Sequence, residues 1–80
     1  MKKYYLYLLK SLKDGSKYIG QTSNITSRLK KHNSGQVQST KHKLPWILVK
    51  SEEYPDRNKA RYREYLLKHN TYLRKRFYGE

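Results

Sequence analysis

Two tyrosine triplets and three separated polar residues carry the chemical content of this chain: Tyr5-Leu6-Tyr7, Tyr18-Ile19-Gly20, then Arg28, His32 and Glu64. Cutting a phosphodiester needs a group that activates water, a cation beside the charge that develops on phosphorus, and usually a metal ion. Two tyrosines, an arginine and one later glutamate are residue types that supply these. Each type is common in isolation, and nine tyrosines make any single one weak evidence. Order and spacing carry the signal.

The elements that must position these side chains can be read from the pattern. Residues 3–10 alternate Tyr4, Leu6, Leu8 with Tyr5, Tyr7, Leu9, which predicts a strand covered at least partly on both faces. Asp14-Gly15 marks a tight turn, and Lys17 to Thr22 makes the returning strand of a hairpin. A register that puts Tyr7 and Tyr18 on one face sends Leu6, Leu8 and Ile19 to the other. Ser23 or Asn24 can cap a helix over 25–32 that Asn33-Ser34-Gly35 stops. Ile25 and Leu29 form its buried stripe, with Arg28 and His32 one turn apart on an adjoining face. Residues 36–44 are polar and basic and read as a loop ended by Pro45. Trp46 to Tyr54 predicts a third strand in which Trp46 and Leu48 on one face, Ile47 and Val49 on the other, find apolar cover. Pro55-Asp56 starts a helix to about Asn70, and Thr71 begins a last short helix carrying Leu73 and Phe77. The fold class is α/β of the α+β type: a three-stranded antiparallel sheet flanked by helices.

Within the long helix, Ala60, Glu64 and Leu67 fall on one stripe. A glutamate in the row facing the body of the protein needs a partner, and Lys68 at i,i+4 is one. The flanking Arg61, Arg63 and Lys68 are expected to point to water.

Composition narrows the partners. With 80 residues there is room for one domain and a thin core, since so small a chain buries only ~60% of its unfolded surface. Lysine and arginine number 19 against six acids, a formal charge of +13 spread along the chain. A polyanion, nucleic acid above all, is the expected partner. No long apolar run, signal peptide or lipidation motif supports a membrane. Cysteine is absent, which excludes disulfides and thiolate-bound zinc and makes the cytoplasm the expected location.

The motifs together resemble the GIY-YIG nucleases, in particular their small standalone branch. The resemblance runs through Tyr5-Leu6-Tyr7, Tyr18-Ile19-Gly20, Thr22-Ser23-Asn24, Arg28-Leu29, His32-Asn33-Ser34-Gly35, Pro45-Trp46 and Ala60-Arg61-Tyr62-Arg63-Glu64, roughly residues 4–68. It implies that Tyr7 and Tyr18 are the motif tyrosines, one of which activates or positions the attacking water. A phenol has a pKa near ~10, so that role at neutral pH needs a nearby cation or metal-bound water. The resemblance makes Arg28 the guanidinium that stabilises the transferring phosphate, His32 a partner of phosphate or water, and Glu64 the ligand of Mg2+ or Mn2+. A Mg2+ ion keeps several waters, so one carboxylate plus substrate phosphate oxygens suffices. Glu52 and Glu53 are fallback ligands. The implied reaction is a single-metal hydrolysis of DNA leaving a 5′-phosphate.

Two departures stand out. Tyr5 replaces the glycine that opens the first motif, and Gln21 stands where many members have lysine. Gly20 would let a backbone approach closely or would relieve a bulge. Lys17, Lys30, Lys31, Lys41, Lys43, Arg61 and Arg63, with Gln21, are the candidate nucleic-acid contacts. No element is set aside to read a groove, so selection by nucleic-acid structure, or through a partner protein, is expected over sequence reading. A binding module that cuts poorly, including one that holds RNA, is the rival reading.

Overall fold

The computed structural model describes residues 2–79. Its elements run β1 (Tyr4–Ser11), β2 (Lys17–Thr22), α1 (Ile25–Asn33), β3 (Trp46–Tyr54), α2 (Arg57–His69) and α3 (Thr71–Tyr78). The strands form one antiparallel sheet in the order β2-β1-β3, so the first strand is central and the other two are edges. The fold is thus the α+β arrangement expected. Gly15 makes the hairpin turn possible with φ of 78°, a conformation costly for residues with a Cβ.

Register divides the side chains as the alternation requires. Tyr7 lies opposite Gly20, Leu9 opposite Tyr18 and Leu8 opposite Ile19. One face collects Leu6, Leu8 and Ile19, which pack with Leu67 and Phe77 from α2 and α3. The other collects Tyr7, Leu9 and Trp46 beneath Tyr18, Ile25, Leu29 and Leu44. The tyrosine face therefore belongs to α1, the aliphatic face to the two C-terminal helices.

The helix starts are set by side-chain caps that satisfy otherwise orphaned amides. Asn24 accepts from the Ser27 amide, Asp56 from Lys59 and Asn70 from Leu73. Asn70 is extended, at φ −132° and ψ 106°, so it ends α2 and caps α3 at once.

β3 departs from expectation. Trp46 is buried, but Ile47, Leu48 and Val49 are 41%, 39% and 47% exposed. The reason is an irregularity in the ladder: Leu8 pairs with Lys50 and Leu9 with Leu48, leaving Val49 as an extra residue. Alternation breaks there, on an edge strand of the sheet.

Candidate active site

His32 organises the tyrosine face. It is 1% exposed, and its Nε2 lies 3.0 Å from the Tyr7 hydroxyl while its Nδ1 lies 2.8 Å from Thr40 Oγ1. Thr40 Oγ1 also bonds the Val37 carbonyl at 3.4 Å. A carbonyl only accepts, so with the Thr40 proton assigned to Val37 the network places Nδ1–H toward Thr40 and leaves Nε2 to accept the Tyr7 proton. The result is a directed chain from Tyr7 through His32 to Thr40.

Electrostatics set the protonation states of the two groups. Burial first, then the charges of Arg28 and Lys31, hold the His32 imidazole below its ordinary pKa, so it stays neutral and one ring nitrogen keeps its lone pair, while the tautomer itself follows from the hydrogen bonds. Burial, with Tyr18 and Glu64 adding to it and Arg28 opposing, pushes the Tyr7 phenol well above its ordinary range. Tyr7 is therefore a phenol at neutral pH, a hydrogen-bond donor with lone pairs to spare.

Thr40 was not legible as a site residue. It sits in the polar segment read only as a loop, yet is 1% exposed. Trp46 Nε1 donates to its carbonyl at 3.0 Å, and Ser11 Oγ donates to the Lys43 carbonyl at 2.8 Å, pulling the segment onto the sheet. At the C-terminal end of α1, directly after His32, Asn33 donates Nδ2–H to the Trp46 carbonyl at 2.9 Å and accepts the Trp46 amide at 2.7 Å. His32 is thus fixed through its own helix and through the loop. The one sequence signal was the need of a buried imidazole for a second polar partner, which does not say where that partner lies.

Gly20 serves Tyr7. A Cβ built on it would lie 2.5 Å from the Tyr7 hydroxyl oxygen and 2.7 Å from its ring carbon, so the open side of Gly20 is filled by the phenol. That differs from the expected contact with nucleic acid, because the space is occupied from within. Tyr18 is half-buried; its ring lies 4.9 Å from the His32 ring, edge to face, and 6.3 Å from those of Tyr7 and Trp46. It forms no side-chain hydrogen bond among the described residues. Arg28 lines a polar cavity of about 230 Å³ with Thr22, Asn24, Ser27 and Lys31, and its charge acts on both Tyr7 and His32.

Glu64 approaches from α2, which packs toward β2. Its side chain is 23% exposed, and its carboxylate influences the Tyr7 phenol and accepts a 2.9 Å bond from Lys68 Nζ on Oε2. Such a half-exposed i,i+4 pair contributes only about 0.3–0.5 kcal/mol and exchanges readily. Lys68 Nζ also lies 5.9 Å from the Tyr18 ring centre, which brings this corner of α2 around the β2 edge to the tyrosine face. Among the described residues no three His, Cys, Asp or Glu side chains converge. A lone carboxylate suits a hard, largely hydrated ion such as Mg2+, which draws its remaining oxygens from water and phosphate. Glu52 is committed elsewhere: it accepts from Arg63 at 3.0 and 3.3 Å and from Tyr54 at 2.8 Å. Burial would raise its carboxyl, but these bonds hold it below the ordinary range. Glu53 is taken by Lys3 at 2.9 Å.

The expected phosphate contacts separate into groups. Lys30, Lys31 and Arg61 are exposed. Lys43 is partly engaged, donating to Ser16 Oγ at 2.9 Å and lying 3.5 Å from Asp14. Lys41 is half-buried on the loop that carries Thr40. Lys17 lies over the Tyr78 ring at 5.1 Å. Arg63 does not point to water as expected: besides its Glu52 bonds it lies 5.7 Å over the Phe77 ring, because the start of the helix stripe turns it onto β3. Gln21 pairs with Leu6, which puts it on the aliphatic face, away from the tyrosines.

The tyrosine face thus joins a buried phenol to a neutral imidazole, with the Arg28 guanidinium and the Glu64 carboxylate both acting on the phenol. Comparison with known proteins agrees in class. The GIY-YIG catalytic domain profile matches residues 3–76, and the chain belongs to that family of nuclease domains. It is 39% identical over 69 residues to a UPF0213 protein of Staphylococcus haemolyticus, covering 85% of this chain and 83% of the relative. It is 40% identical over 70 residues to a UPF0213 protein of Streptococcus sanguinis, covering 86% and 79%. The solution structure of a UPF0213 protein from Bacillus halodurans has a TM-score of 0.57 and 36% identity, covering 92% of this chain and 79% of that one.

Proposed function

We propose that this chain is an endonuclease that hydrolyses DNA phosphodiester bonds with Mg2+, or Mn2+ in its place, acting as one catalytic domain in the cytoplasm. The Tyr7–His32 bond in its buried chain to Thr40 carries the reading. Surface tyrosines need no such partner, whereas a buried phenol donating to a neutral imidazole has a route for its proton.

Tyr7 is the base. Its oxygen takes a proton from the attacking water while its own phenolic proton passes to His32 Nε2, so no free phenolate is required despite the raised pKa. Water oxygen bonds to phosphorus, the bond to the 3′ oxygen breaks, and that oxygen takes a proton from solvent, leaving a 5′-phosphate. His32 becomes cationic beside Arg28, a cost that the negative charge of bound phosphate offsets. Arg28 stabilises the charge gathering on the phosphoryl oxygens. Glu64 would hold the metal, which would supply positive charge to stabilise the departing oxygen. Tyr18 walls His32 and fixes its plane.

Exposed cations flank the site, and among the described residues no helix or ribbon stands free to enter a groove, which supports selection by DNA structure or through a partner protein. The test is a panel of labelled duplex, single-stranded, flap and branched DNAs and a structured RNA, each with Mg2+ and with EDTA. Metal-dependent cutting of DNA is expected. Tight, salt-sensitive binding without cutting would instead favour a nucleic-acid-binding module, and equal binding of the RNA would favour an RNA-associated one.

A further inference from the structure

Beside the tyrosine face, at the β2 edge, lies a cavity of about 210 Å³ lined by Lys17, Tyr18, Ile19, Lys68, Arg74 and Tyr78. Of the six described residues that line it, three are cationic and none is acidic. Arg74 is held in place: Nη1 donates to the Leu67 and Lys68 carbonyls at 3.3 and 3.1 Å, and Nη2 to Thr71 Oγ1 at 3.4 Å. Its charge is thereby fixed at the junction of α2 and α3. Lys17 reaches in across the Tyr78 ring. The cavity shares Tyr18 with the catalytic face and Lys68 with Glu64.

We propose that this cavity is a second phosphate subsite, taking the backbone phosphate next to the scissile one, and that filling it draws Lys68 off Glu64 to free that carboxylate for the metal. The proposal rests on the nuclease reading above. A phosphodiester matches the lining because it is a compact anion with several acceptor oxygens, and the cavity shares Tyr18 with the face that carries Tyr7. Lys68 is the pivot. Its ammonium is 2.9 Å from Glu64 Oε2 and half-exposed on a flexible stem. A phosphate set between Arg74 and Lys17 competes for it through charge-assisted hydrogen bonds, which are stronger than an exposed intrahelical pair. Without a strand, Lys68 covers the metal ligand; with a strand bound, Glu64 is available. Strand and metal then bind with positive coupling, each raising the affinity for the other.

Two binding measurements on the full chain test this. In EDTA, single-stranded oligonucleotides each carrying one neutral methylphosphonate are scanned against wild type and Lys68→Gln. Wild type should lose roughly threefold to tenfold at the linkage that fills the subsite, and Lys68→Gln should lose affinity overall, with a salt slope smaller by about 0.7. The variant should then be indifferent to the methylphosphonate at that linkage. Lys17→Gln, a second exposed-side change, should show the same indifference in part. Separately, Mn2+ titrated into the DNA-free protein and followed by paramagnetic broadening near Glu64 should bind Lys68→Gln about twofold more tightly than wild type, the worth of the exposed pair it releases. No coupling between Lys68→Gln and any linkage overturns the subsite, and unchanged Mn2+ affinity overturns the release of Glu64. Coupling in a chain that never cuts would sink the nuclease reading while leaving the subsite standing.

Discussion

Thr40 Oγ1 lies 2.8 Å from His32 Nδ1, and a loop threonine thereby decides which nitrogen of a buried histidine faces Tyr7. Thr40→Val keeps the shape and removes the acceptor. A buried Nδ1–H without a partner costs about 1–3 kcal/mol, which the ring avoids by moving its proton to Nε2, where it no longer accepts from Tyr7. Histidine ring 15N spectra should show the tautomer change, and cleavage should fall on the order of 100-fold. Thr40→Ser should retain both. An unchanged tautomer in Thr40→Val would sink the role given to Thr40.

Gly20→Ala places a methyl where the Tyr7 phenol now lies, 2.5 Å from its oxygen. The ring is enclosed and must be displaced from His32, so cleavage should drop sharply and stability by about 1–3 kcal/mol. Cleavage rates and urea denaturation measure both. Full activity in Gly20→Ala would mean that Tyr7 is not held where this account needs it.

The lowered His32 pKa sets a pH window with a definite sign. Below the ordinary value of 6.5 the unfolded chain binds a proton that the folded one resists, so stability is whole above 6.5 and declines as pH falls toward the lowered pKa. The acid limb of cleavage should likewise lie below 6.5. Tyr7 acts at the other end: its raised pKa makes stability decline as pH rises above the ordinary phenol value of 10.0. Urea denaturation across pH, wild type against His32→Gln, checks the acid side; an unaltered pH dependence in the variant would contradict it.

Asn33 joins α1 to β3 through two bonds to the Trp46 backbone. Asn33→Ala leaves a partly buried amide and carbonyl unpaired, at about 1–3 kcal/mol. Because Trp46 is the sole tryptophan, its fluorescence reports the change directly and should shift to the red. A loss under about 0.5 kcal/mol would show that this clamp is dispensable, since that is the range of ordinary surface substitutions.

The legible parts of this protein are those with a period. Alternation in β1 placed Tyr7 and Tyr18 on one face and Leu6, Leu8 and Ile19 on the other, and the register agrees. The i,i+4 spacing joined Glu64 to Lys68, and that pair forms. What could not be read depends on tertiary contacts without a period. Thr40 is one polar residue in a polar loop until Trp46 pulls it inward. Arg63 looked solvated because its partner, Glu52, is 11 residues away on another element. Ile47, Leu48 and Val49 looked buried because an irregularity in pairing leaves no trace in composition.

Tyr7→Phe is the sharpest single test, because it removes one oxygen and leaves the ring that packs against Leu9 and Trp46. Single-turnover cleavage and equilibrium binding of the same DNA should be measured for wild type, Tyr7→Phe and Glu64→Gln, in Mg2+ and in EDTA. The account predicts binding within about twofold of wild type and cleavage lowered by about 10²–10⁴ for Tyr7→Phe, the usual worth of a general base. Cleavage by Tyr7→Phe at the wild-type rate would contradict the Tyr7–His32 mechanism.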